Sequence, residues 1–248
     1  MEIPDLHHLA TCLVDFKGHR MICQSIIPGI LNNSDLSSLA EYGTVDDKKT
    51  IVATPEFHEK MAQVAEALSI KKNMVHDQTS GKTLEICGSI EVKGIRGVDK
   101  RKYIVDLQGL VPRDANYLGD DNHTCLVRPE LVSLFQRAKA MEYAAQHIKT
   151  FAQKLDEERI AAEPKPEEGK ELSDDQKHEV TRRRQEDNQK KLREVERLIK
   201  EAPKPHFNVN VFKSNVNLEM TEHERQQEEN SVRELAQFIS EKAIPNLI

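Results

Sequence analysis

Two short runs of alternating apolar and polar residues, joined by a basic turn, lie between residues 88 and 118. The apolar positions are Ile90, Val92 and Ile95 before the turn, and Tyr103, Val105 and Leu107 after it. A period of two is typical of a half-buried β-strand, and the glycine and aspartate in residues 97–100 favour a turn. The segment therefore predicts a β-hairpin whose apolar positions belong to the core.

Further hairpins and helices are predicted on both sides of this segment. Strand-like patterns around turns predict hairpins over residues 9–30 and 42–52. Helices are predicted over residues 55–69, over residues 129–158 and from about residue 222. Thr54 and Pro55 fit the N-cap and the first position of the first helix. The expected fold class is α+β, with β-hairpins packed against amphipathic helices.

The charge pattern changes at residue 156. Residues 156–175 hold nine acidic and three basic side chains together with two prolines, which predicts a disordered linker. Residues 176–200 carry nine basic and five acidic groups, which predicts an exposed helix. Its expected i,i+4 ion pairs are Glu179–Arg183, Glu186–Lys190, Asp187–Lys191 and Glu196–Lys200.

These patterns divide the chain into three parts. Residues 1–155 form the main domain, and residues 156–205 form the charged insert. Residues 206–248 return to core character at Phe207–Phe212 and are expected to add a closing strand and the closing helix. The apolar last six residues predict that the chain is a piece of something longer, or that its end is buried.

Composition narrows the classes of function. The formal net charge is −6, so nucleic acid or anionic lipid has to be bound by a local basic patch. The four cysteines have no zinc-site spacing, which is typical of idle thiols in a reducing compartment. No apolar run approaches the roughly 18 residues that span a bilayer. We expect a cytoplasmic protein that is not inserted in a membrane, and no metal, cofactor or catalytic motif is predicted.

The basic end of the predicted 88–118 hairpin is the candidate RNA-binding site. Its cations are Lys93, Arg96, Lys100, Arg101 and Lys102. Five cations interrupted by Asp99 could contact successive phosphates. The alternative is a solvated turn whose charges protect exposed strand edges.

Three other patterns leave weaker alternatives. Residues 182–184 with residues 190–191 could bind RNA or act as an import signal, but the interleaved glutamates favour a paired helix. Protein kinases also place a metal-binding aspartate after a buried strand, which makes Asp106 the mark of a degenerate kinase-like domain at most. His7, His8, His19 and His123 lack a second ligand at helical spacing and are expected to be surface or structural histidines.

Several segments, in order, resemble the C-terminal half of the Clu domain of the clustered mitochondria protein family. They include QSIIPGIL at residues 24–31, SIEVKGI at 89–95, YIVDL at 103–107, CLVRPELV at 125–132, FNVNVF at 207–212 and IPNL at 244–247. Departures are His8 and Asn246, which stand where the family usually has glycine. The family's N-terminal portion and tetratricopeptide repeats are not recognisable, and no 34-residue helical period is visible.

The resemblance implies a non-enzymatic protein of the cytoplasm. Such a protein binds mRNAs for nuclear-encoded mitochondrial proteins, maintains the distribution of mitochondria and is linked to eukaryotic translation initiation factor three. The resemblance brings no catalytic residues, so none are assigned. The alternative within the family is a scaffold that contacts protein partners without touching RNA.

Overall fold

A computed structural model describes residues 2–32, 40–45, 50–162, 173–213 and 216–245. Contacts divide the chain into two units, residues 1–132 with 206–248 and residues 133–205. The predicted boundary at residue 155 differs from this division, because it lies inside a long helix. The strands form small sheets and the chain also contains helices, so the predicted α+β class is confirmed. In the described ranges, no helix is both long and apolar enough to cross a bilayer.

A five-stranded sheet forms the centre of the first unit. Its order is β1 (Leu6–His8), β9 (Lys102–Val105), β8 (Lys93–Arg96), β4 (Ala40–Val45) and β5 (Thr50–Ala53). The predicted β8–β9 hairpin is confirmed, with Ile95 opposite Tyr103. β8 begins later than the alternation suggests, so Ile90 and Val92 are buried in the preceding loop. β1 pairs in parallel with β9, and the other neighbours are antiparallel.

Helix α1 (Pro55–Leu68) begins at the predicted Thr54 N-cap and covers one face of this sheet. Phe57, Met61, Val64 and Ala65 are its buried residues. Phe57 lies directly over Gly94 of β8, where an added Cβ would come within 2.6 Å of the Phe57 ring. Glycine at this position therefore lets the helix pack closely against the strand.

Two more hairpins form separate two-stranded sheets. The first, predicted from the sequence, pairs β2 (Thr11–Phe16) with β3 (His19–Gln24) through a two-residue turn. Lys17 and Gly18 in this turn both have positive φ, the geometry that matches strand twist. The second, β6 (Lys72–His76) with β7 (Thr83–Cys87), was not predicted. It contributes Val75 and Ile86 to the main core.

The closing strand predicted at Phe207–Phe212 is wrong. Apart from a single bridge between Phe207 and Ile70, this segment is a turn. Asn208 Oδ1 accepts a hydrogen bond from Asn210 N at 2.9 Å, and Asn210 Nδ2 donates to Gly88 O at 2.9 Å. Both asparagines are buried with Val209, so the alternation does not separate a buried face from an exposed one. The side-chain amides form hydrogen bonds with backbone groups that a neighbouring strand would otherwise have to bind.

The second unit contains most of α2 (Pro129–Ala162) and α3 (Asp174–Glu201). The linker predicted over residues 156–175 is wrong at both ends, because residues 156–162 continue α2 and residues 174–175 begin α3. The Asp156 carboxylate binds Lys191 of α3 at 3.1 Å, an ion pair that favours order there. Residues 163–172 of the predicted linker lie outside the described residues.

Helix α3 confirms the predicted exposed helix, with some different ion pairs. Arg183 binds Glu179 at 2.8 Å as predicted. Lys190 instead binds Asp187 at 3.1 Å, and Lys191 binds Asp156 on α2. A capping box between Ser173 and Gln176 begins the helix.

The predicted closing helix is α4 (Glu222–Phe238), which begins at a capping box between Thr221 and Glu224. Val232, Leu235 and Ala236 are buried. The helix continues as a π-helical segment at Ile239–Ala243. Residues 246–248, which belong to the apolar end, lie outside the described residues.

Candidate functional site

The five predicted RNA-binding cations do not form one cluster at the hairpin end. Arg96 and Lys102 are cross-strand partners beside the turn, and Lys100 and Arg101 belong to the turn itself. Lys93 pairs with Val105 at the opposite end of β8. Because strand side chains alternate between faces, Lys93 also lies on the face opposite to Arg96. The expectation that all five occupy one end is therefore corrected.

Two of these cations are engaged in ion pairs with glutamates from other elements. Arg96 binds Glu41 of β4 through Nε at 2.6 Å and Nη2 at 2.8 Å. Glu56 of α1 accepts from Arg96 at 3.0 Å and from Lys102 at 3.1 Å. Lys102 and then Arg96 lower the pKa of the Glu56 carboxyl, and Glu41 raises the pKa of Arg96. These charges hold the hairpin to α1 and β4.

The turn itself presents the more accessible cations. Lys100 is exposed and has a φ of 65°, and the Arg101 side chain is 64% exposed. Arg101 Nε lies 3.8 Å from the Asp99 carboxylate. Asp99 also accepts a hydrogen bond from the Tyr103 hydroxyl at 2.8 Å, which fixes the turn. The structure thus leaves two exposed cations at the tip.

A cleft of about 780 Å³ lies at the other end of the hairpin. Polar and apolar side chains share its wall. The charged or titratable residues are Glu91, Lys93, Asp106, Arg113, His123 and Lys213, and the apolar ones are Val45, Val111, Leu126 and Val209. Asp106, singled out from the sequence, therefore lies at a cavity whose size is typical of ligand pockets, about 300–1,000 Å³.

Several contacts fix the cleft wall. The Lys213 ammonium donates to Ser89 Oγ at 2.7 Å and binds the Glu91 carboxylate. Arg113 Nη2 donates to the backbone oxygen of Asn122 at 3.1 Å. Asp106 has a φ of 59°, and its backbone oxygen accepts from Gly109 N at 2.9 Å. A non-glycine residue with this backbone is unusual and is concentrated at ligand sites and turns.

Sequence spacing could not reveal these groupings. Lys213 and Glu91 are 122 residues apart. His58, Glu85 and Cys87 also meet, with one ligand atom of each lying within 4.8 Å of the others. Glu85 accepts from Lys72 at 3.3 Å and lies 3.0 Å from His58 Nε2, and Cys87 N donates to the Tyr42 hydroxyl at 2.7 Å. Burial raises the pKa of the Cys87 thiol, which keeps it protonated.

A family model described as clustered mitochondria matches residues 1–117. The clustered mitochondria protein homolog of Dictyostelium discoideum is 31% identical over 273 residues, which cover 100% of this chain and 19% of that protein. The chain belongs to the clustered mitochondria family.

Other members of the family are similar over shorter stretches. The clustered mitochondria protein of Arabidopsis thaliana is 40% identical over 141 residues, 57% of this chain and 10% of that protein. Protein clueless of Drosophila persimilis is 31% identical over 186 residues, 66% of this chain and 13% of that protein. The chain thus spans no more than a fifth of the length of these relatives. No solved structure is significantly similar to it.

Proposed function

We propose that this chain is a non-enzymatic binding module of a clustered mitochondria protein in the cytoplasm, and that it supports the distribution of mitochondria by holding a protein partner. Family membership supports the mitochondrial role. The surface of the β2–β3 hairpin supports the binding of a protein. That hairpin is the observation on which the proposal rests.

Every residue of β2 and β3 is exposed, although many of them are apolar. Leu13 is 67% exposed and lies opposite Ile22, which is 68% exposed. Phe16, Val14 and Met21 are exposed on the other face of the hairpin. Exposed apolar patches of this kind mark interaction sites, since water disfavours them. Arg20 on the hairpin is paired with Asp15 at 2.8 Å, so little charge remains there for RNA.

The partner we propose is the translation initiation factor three complex, which the family resemblance implies. Binding of the purified complex to the 248-residue chain tests this directly. The Leu13→Ser/Ile22→Ser variant should bind at least about tenfold more weakly, since burial of two such side chains is worth roughly 3 kcal/mol or more. Leu192→Ser is the matched control, because Leu192 is 64% exposed on α3, which belongs to the other unit.

Two results would contradict the proposal for this partner. One is the absence of binding to the wild-type chain, and the other is equal binding by the hairpin variant. Within a full-length family member, the same double substitution should fail to restore mitochondrial distribution in cells that lack the protein. Leu192→Ser should restore it.

The second candidate function is mRNA binding at the tip of the β8–β9 hairpin. The exposure of Lys100 and Arg101 favours it, because both lie in the turn and, in the described part of the chain, neither is paired with the glutamates that hold Arg96 and Lys102. Two phosphate contacts give a weak, salt-dependent affinity without sequence readout. Lys93 cannot join them from the far end of β8.

Fluorescence anisotropy with a single-stranded RNA, measured over a range of salt concentrations, tests this candidate. Lys100→Glu/Arg101→Glu should flatten the slope of log affinity against log salt by about two. Lys17→Glu at the β2–β3 turn is the control and should leave the slope unchanged. If the Lys100→Glu/Arg101→Glu variant still binds RNA at low salt as tightly as the Lys17→Glu control does, the tip is not the RNA site.

A further inference from the structure

The cleft between the end of β9 and the Val209–Lys213 segment is lined by both charged and apolar side chains. Lys93, Arg113 and Lys213 bring three cations to it, and Asp106 and Glu91 bring two carboxylates. The remaining wall includes the apolar side chains of Val45, Val111, Leu126 and Val209. A ligand that uses both kinds of lining carries an anionic group and a part that can contact apolar side chains.

The charged groups of the cleft differ in whether another group of the protein pairs with them. Lys213 is bound by Glu91 and Ser89, so its position is fixed. In the described ranges, neither the Lys93 ammonium nor the Asp106 carboxylate has an ion-pair partner, although both line the cleft. Arg113 Nη2 donates to the backbone oxygens of Tyr117 and Asn122, so the position of this guanidinium at the cleft is also fixed. The protein thus leaves one cation, Lys93, and one carboxylate, Asp106, for a ligand that carries both an anionic group and a cation.

We propose that this cleft binds a magnesium-bound nucleoside triphosphate. Lys93 and Arg113 contact the phosphate oxygens, and the Asp106 carboxylate contacts the metal ion. Magnesium prefers one or two carboxylates together with substrate phosphates, and it removes the repulsion between Asp106 and the phosphates. The apolar wall receives the base. The proposal concerns binding alone and goes beyond the partner-binding role, since the cleft and the β2–β3 hairpin share no residues.

The backbone at Asp106 supports this assignment. Its φ of 59° turns the chain from β9 directly into the 3₁₀ turn Leu107–Leu110 and leaves the carboxylate exposed at the cleft. Gly109 of that turn also lines the cleft, and an added Cβ there would lie 2.8 Å from Val92 Cγ2. Glycine therefore allows the turn to pack tightly on the sheet while the cleft stays open.

Isothermal titration of the 248-residue chain with MgATP tests the proposal. We expect saturable one-to-one binding that weakens when magnesium is omitted. Adenosine lacks the phosphates and magnesium pyrophosphate lacks the base, so each should bind at least about tenfold more weakly than MgATP. Leu13→Ser/Ile22→Ser should bind MgATP normally, which separates this proposal from the protein-binding role.

Two substitutions with matched controls locate the site. Asp106→Asn keeps a residue that tolerates positive φ and removes the charge, and Lys93→Met removes the other unpaired charge. Each should weaken MgATP binding by about tenfold, as expected for a lost charge-assisted contact. Asp5→Asn is the first control, since Asp5 is exposed and has a φ of 61°. Lys100→Met on the same hairpin is the second, and both controls should bind normally.

The contradicting results are equally specific. Absence of saturable MgATP binding overturns the proposal, and so do equal affinities for MgATP and magnesium pyrophosphate. Unchanged affinity in both cleft variants, or equal losses in the controls, would place the nucleotide elsewhere. Circular dichroism confirms that each variant is folded. For a variant that is not, the metal-omission and pyrophosphate titrations of the wild-type chain decide the question.

Discussion

The β2–β3 and β8–β9 hairpins are built from similar strands in opposite surroundings. Ile104 of β9 is 7% exposed, whereas Ile22 of β3 is 68% exposed. The β8–β9 hairpin has a strand on each side and α1 over one face, whereas β2 and β3 pair only with each other in the described residues. Apolar alternation therefore indicates a strand in both places, but it does not say whether the fold or a partner covers the strand.

The two hairpins also use their charges differently. Arg96 reaches Glu41 and Glu56 on two other elements, with both Arg96 and Glu41 about a third exposed or less. Arg20 reaches Asp15 within its own hairpin, and both side chains are more than 60% exposed. An ion pair between elements stabilises tertiary structure, whereas one on an exposed hairpin is screened by water. The fold therefore holds β8–β9 in place, whereas β2–β3 is the hairpin for which we propose a protein partner.

Replacing the same residue type in both hairpins should show the largest difference. Ile104→Ala should lower the free energy of unfolding by about 2–4 kcal/mol, because it leaves a cavity in the main core. Ile22→Ala should change it by less than about 0.5 kcal/mol, because the side chain is already in water. Urea denaturation followed by circular dichroism measures both. Similar losses in the two variants would show that β2–β3 is covered within the chain.

The ion pairs should show a smaller difference of the same sign. Arg96→Met leaves Glu41 and Glu56 without their guanidinium partner and should lower the free energy of unfolding by about 1 kcal/mol. Arg20→Met should leave the denaturation midpoint unchanged, because Asp15 returns to water at little cost. The same urea experiment applies. An Arg20→Met loss that equals the Arg96→Met loss would remove the distinction between the two ion pairs.

Local chemistry made much of this fold predictable. Thr54 and Pro55 mark the start of α1, and the spacing of Val232, Leu235 and Ala236 marks the buried face of α4. The strands on either side of residues 97–100 follow from their period of two. In each case the signal lies within a few residues of the element that it predicts.

Contacts between distant segments were not predictable. Glu41 and Glu56 pair with Arg96 although they lie 55 and 40 residues away in the sequence. The run of cations therefore gave no sign that one of its members is bound by carboxylates. The Phe207–Phe212 alternation suggested a strand because nothing local shows that Asn208 and Asn210 are buried and bonded. The cleft likewise depends on the ion pair between Lys213 and Glu91, which only the tertiary structure brings together.

The smallest expected effect is a difference in acid stability between the two hairpins. In the folded chain, Lys102 and then Arg96 lower the pKa of Glu56 below its ordinary 4.5, so the unfolded chain binds the proton more readily. The stabilisation from this carboxylate is therefore complete above pH 4.5 and is lost as the pH falls through the lower, folded-state pKa. Glu56→Gln, which has no such carboxylate, should lose less stability over that range.

Asp15→Asn is the matched comparison for this acid effect. Arg20 lowers the pKa of Asp15 in the same way, but the Arg20 side chain is 73% exposed, whereas Lys102 and Arg96, the partners of Glu56, are 16% and 34% exposed. Salt therefore screens the Asp15 pair more strongly. Melting temperatures measured from pH 6 downward should show a shallower acid loss for both variants at low salt, and high salt should reduce this difference from the wild type more for Asp15→Asn than for Glu56→Gln. If the Glu56→Gln chain lost stability as steeply as the wild type, the ion pairs of Glu56 would not anchor β8–β9 to α1. The contrast between the hairpins would then depend on apolar burial alone.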